Sequence, residues 1–157
     1  MRSRSALVTI ALAVALAAPR AVHAAPPGDA CALLTPAQVG SASGVAVGAG
    51  TYVTPTFKRT CTWTVTKPAP KSTKFVTLFL QDANAFSAGK LTGAKSVFVT
   101  SVSGIGDDAY YLAVGPNVGL IVKKGAIAFK VAVYGDISLD QKKAMEKTLA
   151  QQVLAKL

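Results

Sequence analysis

The sequence predicts an α+β fold: a single antiparallel sheet of about six strands with helices on one face, a short N-terminal helix and a long C-terminal helix packed on it, and one disulfide. Three observations predict it. Short runs of alternating or continuous apolar residues, several joined by turns of two or three residues, mark strands that pair antiparallel. Capping boxes at Thr35-Pro36-Ala37-Gln38 and Ser138-Leu139-Asp140-Gln141 open a helix near each end. The chain has only two cysteines, Cys31 and Cys61, so each is the other's sole intramolecular partner.

The chain begins with a basic segment, Met1 to Ser5, followed by an apolar run from Ala6 to Ala18 and the small-residue stretch Val22-His23-Ala24. That order is the pattern of a secretory signal peptide. The run is too short to cross a bilayer, which needs roughly 20 apolar residues. Cleavage is expected after Ala24, because a cut one residue later would put Pro26 just past it. Gly28-Asp29-Ala30 stands where a lipidation signal would need a leucine, so Cys31 is not expected to carry lipid. The expected organisation is a signal peptide over residues 1–24 and a single secreted domain over residues 25–157.

Processing removes Arg2, Arg4 and Arg20, lowering the formal charge from +10 to +7, and with them His23, the only histidine. A domain without histidine cannot build Ser-His-Asp or Cys-His catalysis or a histidine metal site. With Cys31 and Cys61 paired, no thiol nucleophile remains. The sequence therefore predicts no enzyme, no metal and no cofactor.

Within the domain, Thr35 caps a short helix with Pro36 at its first position and Gly44 at its end. Val45 to Val53 reads as a glycine-diluted strand at an edge. Cys61, Trp63 and Val65 then alternate with Thr60, Thr62, Thr64 and Thr66, which puts sulfur, indole and valine on a buried side. Lys74–Gln81 is apolar on both faces, Val76, Leu78 and Leu80 against Phe75 and Phe79, so something is expected to cover the second face. Asp82 caps a short helix anchored by Phe86. Strands follow at Lys95–Val102, Ala109–Val114, Val118–Lys123 and Ala126–Tyr134. The helix opened by Ser138 presents Met145, Leu149, Val153 and Leu157 to the sheet, and is expected to leave Lys142, Lys143, Glu146, Lys147 and Lys156 in water.

Several groups of residues could carry function. Gly104-Ile105-Gly106-Asp107-Asp108 has the look of a phosphate loop, but a strand rather than a helix follows it, and adjacent acids do not give the alternate positions of a calcium loop. Asp107 and Asp108 also point to opposite sides of an extended chain and cannot flank one bond. The remaining reading is a turn whose aspartates hold backbone amides. Phe75, Phe79, Phe98, Tyr110, Tyr111 and Tyr134 are candidates for a binding surface for a sugar or an apolar ligand, with Asp107 and Asp108 beside it. The threonine row of the Cys61 strand resembles an ice-binding ladder, though a solvated strand face gives the same pattern. Lys123, Lys124, Lys142, Lys143 and Lys147 form a basic patch that favours anionic lipid or polysaccharide. Nucleic acid has the right charge but is not an expected partner of an exported chain.

Cys31-x-Leu33-Leu34-Thr35, Cys61-Thr62-Trp63, Gly104-Ile105-Gly106-Asp107-Asp108-Ala109-Tyr110 and the Leu149-Ala150 helix together resemble a family of bacterial secreted proteins and lipoproteins of unknown function, common in actinobacteria. That family is similar to the extracellular sensor domain of a mycobacterial Ser/Thr protein kinase. The resemblance implies a disulfide-stapled α+β domain with a groove beside its sheet for an envelope ligand, and it implies no enzyme activity. This chain departs from it in lacking a lipid anchor and in having one cysteine pair where the sensor domain has two. The expectation is thus a periplasmic or secreted, non-enzymatic binding or accessory domain. The alternative is a periplasmic protein–protein interaction module, such as an inhibitor or assembly factor.

Overall fold

The computed structural model describes residues 28–91 and 96–157; the leader expected over residues 1–24 lies outside them. The strands are β1 (Thr51–Tyr52), β2 (Thr60–Thr64), β3 (Thr73–Asp82), β4 (Val97–Val102), β5 (Asp108–Val114), β6 (Asn117–Lys124) and β7 (Ile127–Gly135). They form one sheet in the order β1-β2-β3-β7-β6-β5-β4. Every neighbouring pair is antiparallel. The helices are α1 (Pro36–Ser43), α2 (Ala83–Lys90) and α3 (Leu139–Leu154), preceded by a 3-10 turn over Ala30–Ala32. The α+β fold with its single disulfide is as the sequence predicts, with seven strands.

Each helix starts where its cap dictates. Thr35 accepts from the Gln38 amide while the Gln38 side chain accepts from the Thr35 amide, and Ser138 and Gln141 repeat the arrangement at α3. Asp82 accepts from the Ala85 amide at 2.8 Å and opens α2 directly off β3.

The main core lies on one face of the sheet. Trp63, Val76, Leu78, Leu120, Phe129 and Val131 point into it and are fully buried beneath α1 and α3, which contribute Val39, Leu149, Ala150 and Val153. The Cys31–Cys61 disulfide, with Cα atoms 5.0 Å apart, ties the N-terminal turn to β2. Asp29 reinforces this tie, accepting from the Cys31 amide at 3.0 Å and from the Tyr52 hydroxyl at 2.8 Å. A disulfide of this kind belongs to an oxidising compartment. No helix among the described residues is long and apolar enough to cross a membrane.

Three expectations are corrected. The strand expected over Val45–Val53 is reduced to Thr51–Tyr52 and an isolated bridge from Val47 to Val65. Gly50 serves close approach instead: a Cβ there would lie 2.5 Å from Cys61 Sγ and 2.8 Å from Trp63 Nε1. The helices do not share one face, because α2 packs opposite α1 and α3. Lys142 and Glu146, expected in water, are 2% and 0% exposed. The β6–β7 ladder ends at the Leu120–Val131 pair, and Glu146 takes the vacated bonding position, accepting from the Val133 amide at 3.0 Å. Lys142, one turn earlier, donates to the Pro116 carbonyl at 2.7 Å and ties α3 to the β5–β6 turn.

Candidate functional site

The second face of the sheet is made by the alternate residues of the same strands: Phe75, Thr77 and Phe79 of β3, Lys130 and Tyr134 of β7, Ile121 of β6, Tyr110 and Leu112 of β5. Only α2 covers it among the described residues. Phe86 packs on Tyr110, Ile121 and Ala128, with ring centroids of Phe86 and Tyr110 5.0 Å apart. The Tyr110 hydroxyl donates to the Phe86 carbonyl at 3.1 Å, which fixes the helix to the sheet.

Beside α2 the face opens into a groove of about 350 Å³. Ala85 and Gly89 of α2 form one wall, and Ile121, Leu112 and Tyr110 form the floor. Phe79 and Lys130, cross-strand partners, form the other wall. Lys130 reaches across β6 because position 119 is glycine: a Cβ there would lie 2.4 Å from Lys130 Cε. The described residues contain two salt bridges, Lys90–Asp108 and Lys124–Asp107, and neither includes Lys130. A wider depression of about 560 Å³ lies between α1 and the segment Val45 to Val47, but it is lined by small or aliphatic side chains without a charged group. Its one polar side chain is Ser41.

The structure brings some of the predicted surface residues together and separates others. Phe75 and Tyr134 stack on each other with centroids 4.5 Å apart, and Phe79 follows two residues along the same strand face. Tyr110 is buried below α2. Tyr111 lies on the opposite face, where its hydroxyl donates to the Lys143 carbonyl and Lys143 Nζ sits 5.5 Å from its ring centre. Burial there pushes the Tyr111 phenol up to about 12. Phe98, on edge strand β4, is 66% exposed and apart from the groove.

Asp107 and Asp108 diverge. Asp107 accepts from the Gly125 amide at 2.7 Å and from Lys124 at 3.3 Å, which together hold its carboxyl below the usual range. Asp108 binds Lys90 of α2 at 2.7 Å. Both therefore act as ties between elements, Asp107 to the β6–β7 turn and Asp108 to α2. Gly106 before them has φ +60°, and a Cβ there would lie 2.5 Å from the Lys123 carbonyl oxygen, so the loop depends on glycine at that point. Of the basic patch, Lys124 is held by Asp107, Lys142 is buried, and Lys143 lies over Tyr111. Lys123 and Lys147 complete the set, Lys123 partly exposed at the end of β6 and Lys147 exposed on α3. Among the described residues no three His, Cys, Asp or Glu side chains come together as metal ligands.

Two functional features were missed from sequence. Lys130 has no distinguishing signal in its own strand; its position depends on Gly119 across the ladder. Glu146, expected in water, is buried. Its Oε2 has no hydrogen-bond partner, and burial pushes the carboxyl up to about 8 despite the Val133 amide and the charges of Lys130, Lys142 and Lys143. A signal was present: continuing the buried stripe of Val153, Ala150 and Leu149 backwards at 3.6 residues per turn reaches Glu146 and then Lys142. Comparisons with family models, curated proteins and solved structures return no match.

Proposed function

We propose that this chain is an exported, non-enzymatic binding or accessory domain of the cell envelope, periplasmic or secreted, with its ligand seated on the second face of the sheet. The observation that carries this reading is the half-open groove beside α2, apolar on its floor and bearing one lysine in its wall. Ligand sites are concave, mostly apolar and supplied with a few orienting polar groups. The signal-peptide pattern of residues 1–24 and the disulfide support export. The resemblance to a kinase sensor domain supports binding rather than turnover.

The test is a thermal-shift screen of the exported chain against envelope lipids, sugars and wall fragments. At least one class should raise the melting temperature, and Phe79→Ser should abolish that shift. A screen with no stabilising ligand, or a shift that ignores Phe79→Ser, contradicts the reading.

A second reading, a protein–protein interaction module acting as inhibitor or assembly factor, is favoured by one feature. Edge strand β4 carries no charge and no proline over Val97–Val102 and exposes Phe98, whereas soluble proteins ordinarily guard such edges with charge. If β4 recruits a partner strand, Phe98→Lys should abolish complex formation and leave the thermal-shift ligands unaffected.

A further inference from the structure

We infer that the groove beside α2 takes a single-chain fatty carboxylate, its alkyl chain lying on Ile121 and Leu112 and its carboxylate meeting Lys130. The inference rests on the reading of the second face as a ligand site and names the ligand's chemistry.

Three observations select it. The α2 wall and the floor are mostly aliphatic or lack a side chain, with Ala85 and Gly89 facing Ile121 and Leu112, Tyr110 adding a ring and Gln81 a single amide. A sugar would find few hydroxyl partners there, and the nearby rings of Phe75 and Tyr134 are stacked on each other instead of forming an open platform. The volume, about 350 Å³, falls at the low end for small-molecule sites and suits one chain rather than two.

The third observation is charge. All seven acidic residues of the chain are among those described, and none forms a salt bridge with Lys130. Its cross-strand neighbours are Phe79 and Ile121. The acid whose carboxyl feels its charge, Glu146, is buried on α3 against the other face and accepts from the Val133 amide, so no carboxylate is paired with Lys130 in the groove. A single ammonium matches a monoanion. A phosphate dianion calls for more donors, of the kind an arginine fork or a ring of backbone amides provides.

The test is isothermal titration of the exported chain with dodecanoate below its micelle concentration, with dodecanol as the neutral twin. Dodecanoate should bind about tenfold more tightly, the gain of one hydrogen bond to a charged group. Lys130→Met should erase that preference while leaving dodecanol affinity unchanged, and Lys130→Arg should keep it. Ala85→Trp, which fills the groove from an exposed helix position, should abolish both. Thermal melts of each variant check folding; should Lys130→Met not fold, the dodecanoate-to-dodecanol ratio in the unsubstituted chain decides. Equal affinity for the two ligands overturns the carboxylate assignment and leaves the site reading standing. Dodecanoate binding that survives Ala85→Trp places the ligand elsewhere and overturns the inference. Binding of neither ligand overturns it as well, while the broader thermal-shift screen judges the binding domain independently.

Discussion

On the α3 side of the sheet Trp63, Leu78, Leu120, Phe129 and Leu149 are all fully buried, whereas on the α2 side Phe86 and Tyr110 are the only buried aromatics among the described residues and Phe75, Phe79 and Tyr134 stay partly exposed. The same strands supply both faces, residue by alternate residue. The difference lies in what covers them. α3 has 16 residues and is about 24 Å long; α2 has eight and is about 12 Å long. One helix spans the sheet with help from α1, and the other covers only part of it. The α3 face is committed to stability, and the α2 face keeps apolar surface in reach of solvent.

If that division holds, substitutions on the two faces should differ sharply. Trp63→Ala empties the best-packed part of the core and should cost about 3–5 kcal/mol, read by denaturant unfolding. A loss below about 1 kcal/mol would mean that the α3 face is not where stability resides.

Glu146 makes the same face sensitive to pH. The native carboxyl keeps its proton up to about 8, whereas the unfolded group releases it near 4.5. The native state therefore binds more protons between those values, and stability falls as pH rises through that window. At roughly 1.4 kcal/mol per unit the full span is on the order of 5 kcal/mol. Glu146→Gln should flatten melting temperature against pH from 5 to 8 and should stabilise the protein at pH 8. An unchanged slope would show that other groups set it.

The disulfide joins the N-terminal turn to the strand bearing Trp63. Cys31→Ser should cost about 2–5 kcal/mol and make Trp63 more accessible to quencher. Dithiothreitol gives the quick version: an unchanged melt with unchanged tryptophan fluorescence contradicts the bridge. At the small end, Phe79→Ser should change stability by no more than about 1 kcal/mol, because the ring is already partly in solvent. A larger loss would mean that the α2 face is core after all.

Much of the first face was legible from sequence. Caps at Thr35, Asp82 and Ser138, alternation around Trp63 and the lone cysteine pair each have local causes, and local causes leave local signals. The burial of Lys142 and Glu146 was not read, because a spacing of four drifts off a 3.6-residue helix over successive turns. A polar residue opposite the missing end of a ladder also has no signature in its own segment. The groove was foreshadowed by the two apolar faces of β3, but its wall depends on Lys130 crossing Gly119 from a neighbouring strand. Such a pairing is visible only once the register is known.

The most direct test of the division between faces is a backbone-amide NMR titration of residues 25–157 with dodecanoate. Shift changes should concentrate at Phe79, Gln81, Ile121 and Lys130 and along Ala85 to Gly89, leaving Trp63 and α3 unmoved. Changes centred on α1 or α3, or none at all in β3, β7 and α2, would contradict the account.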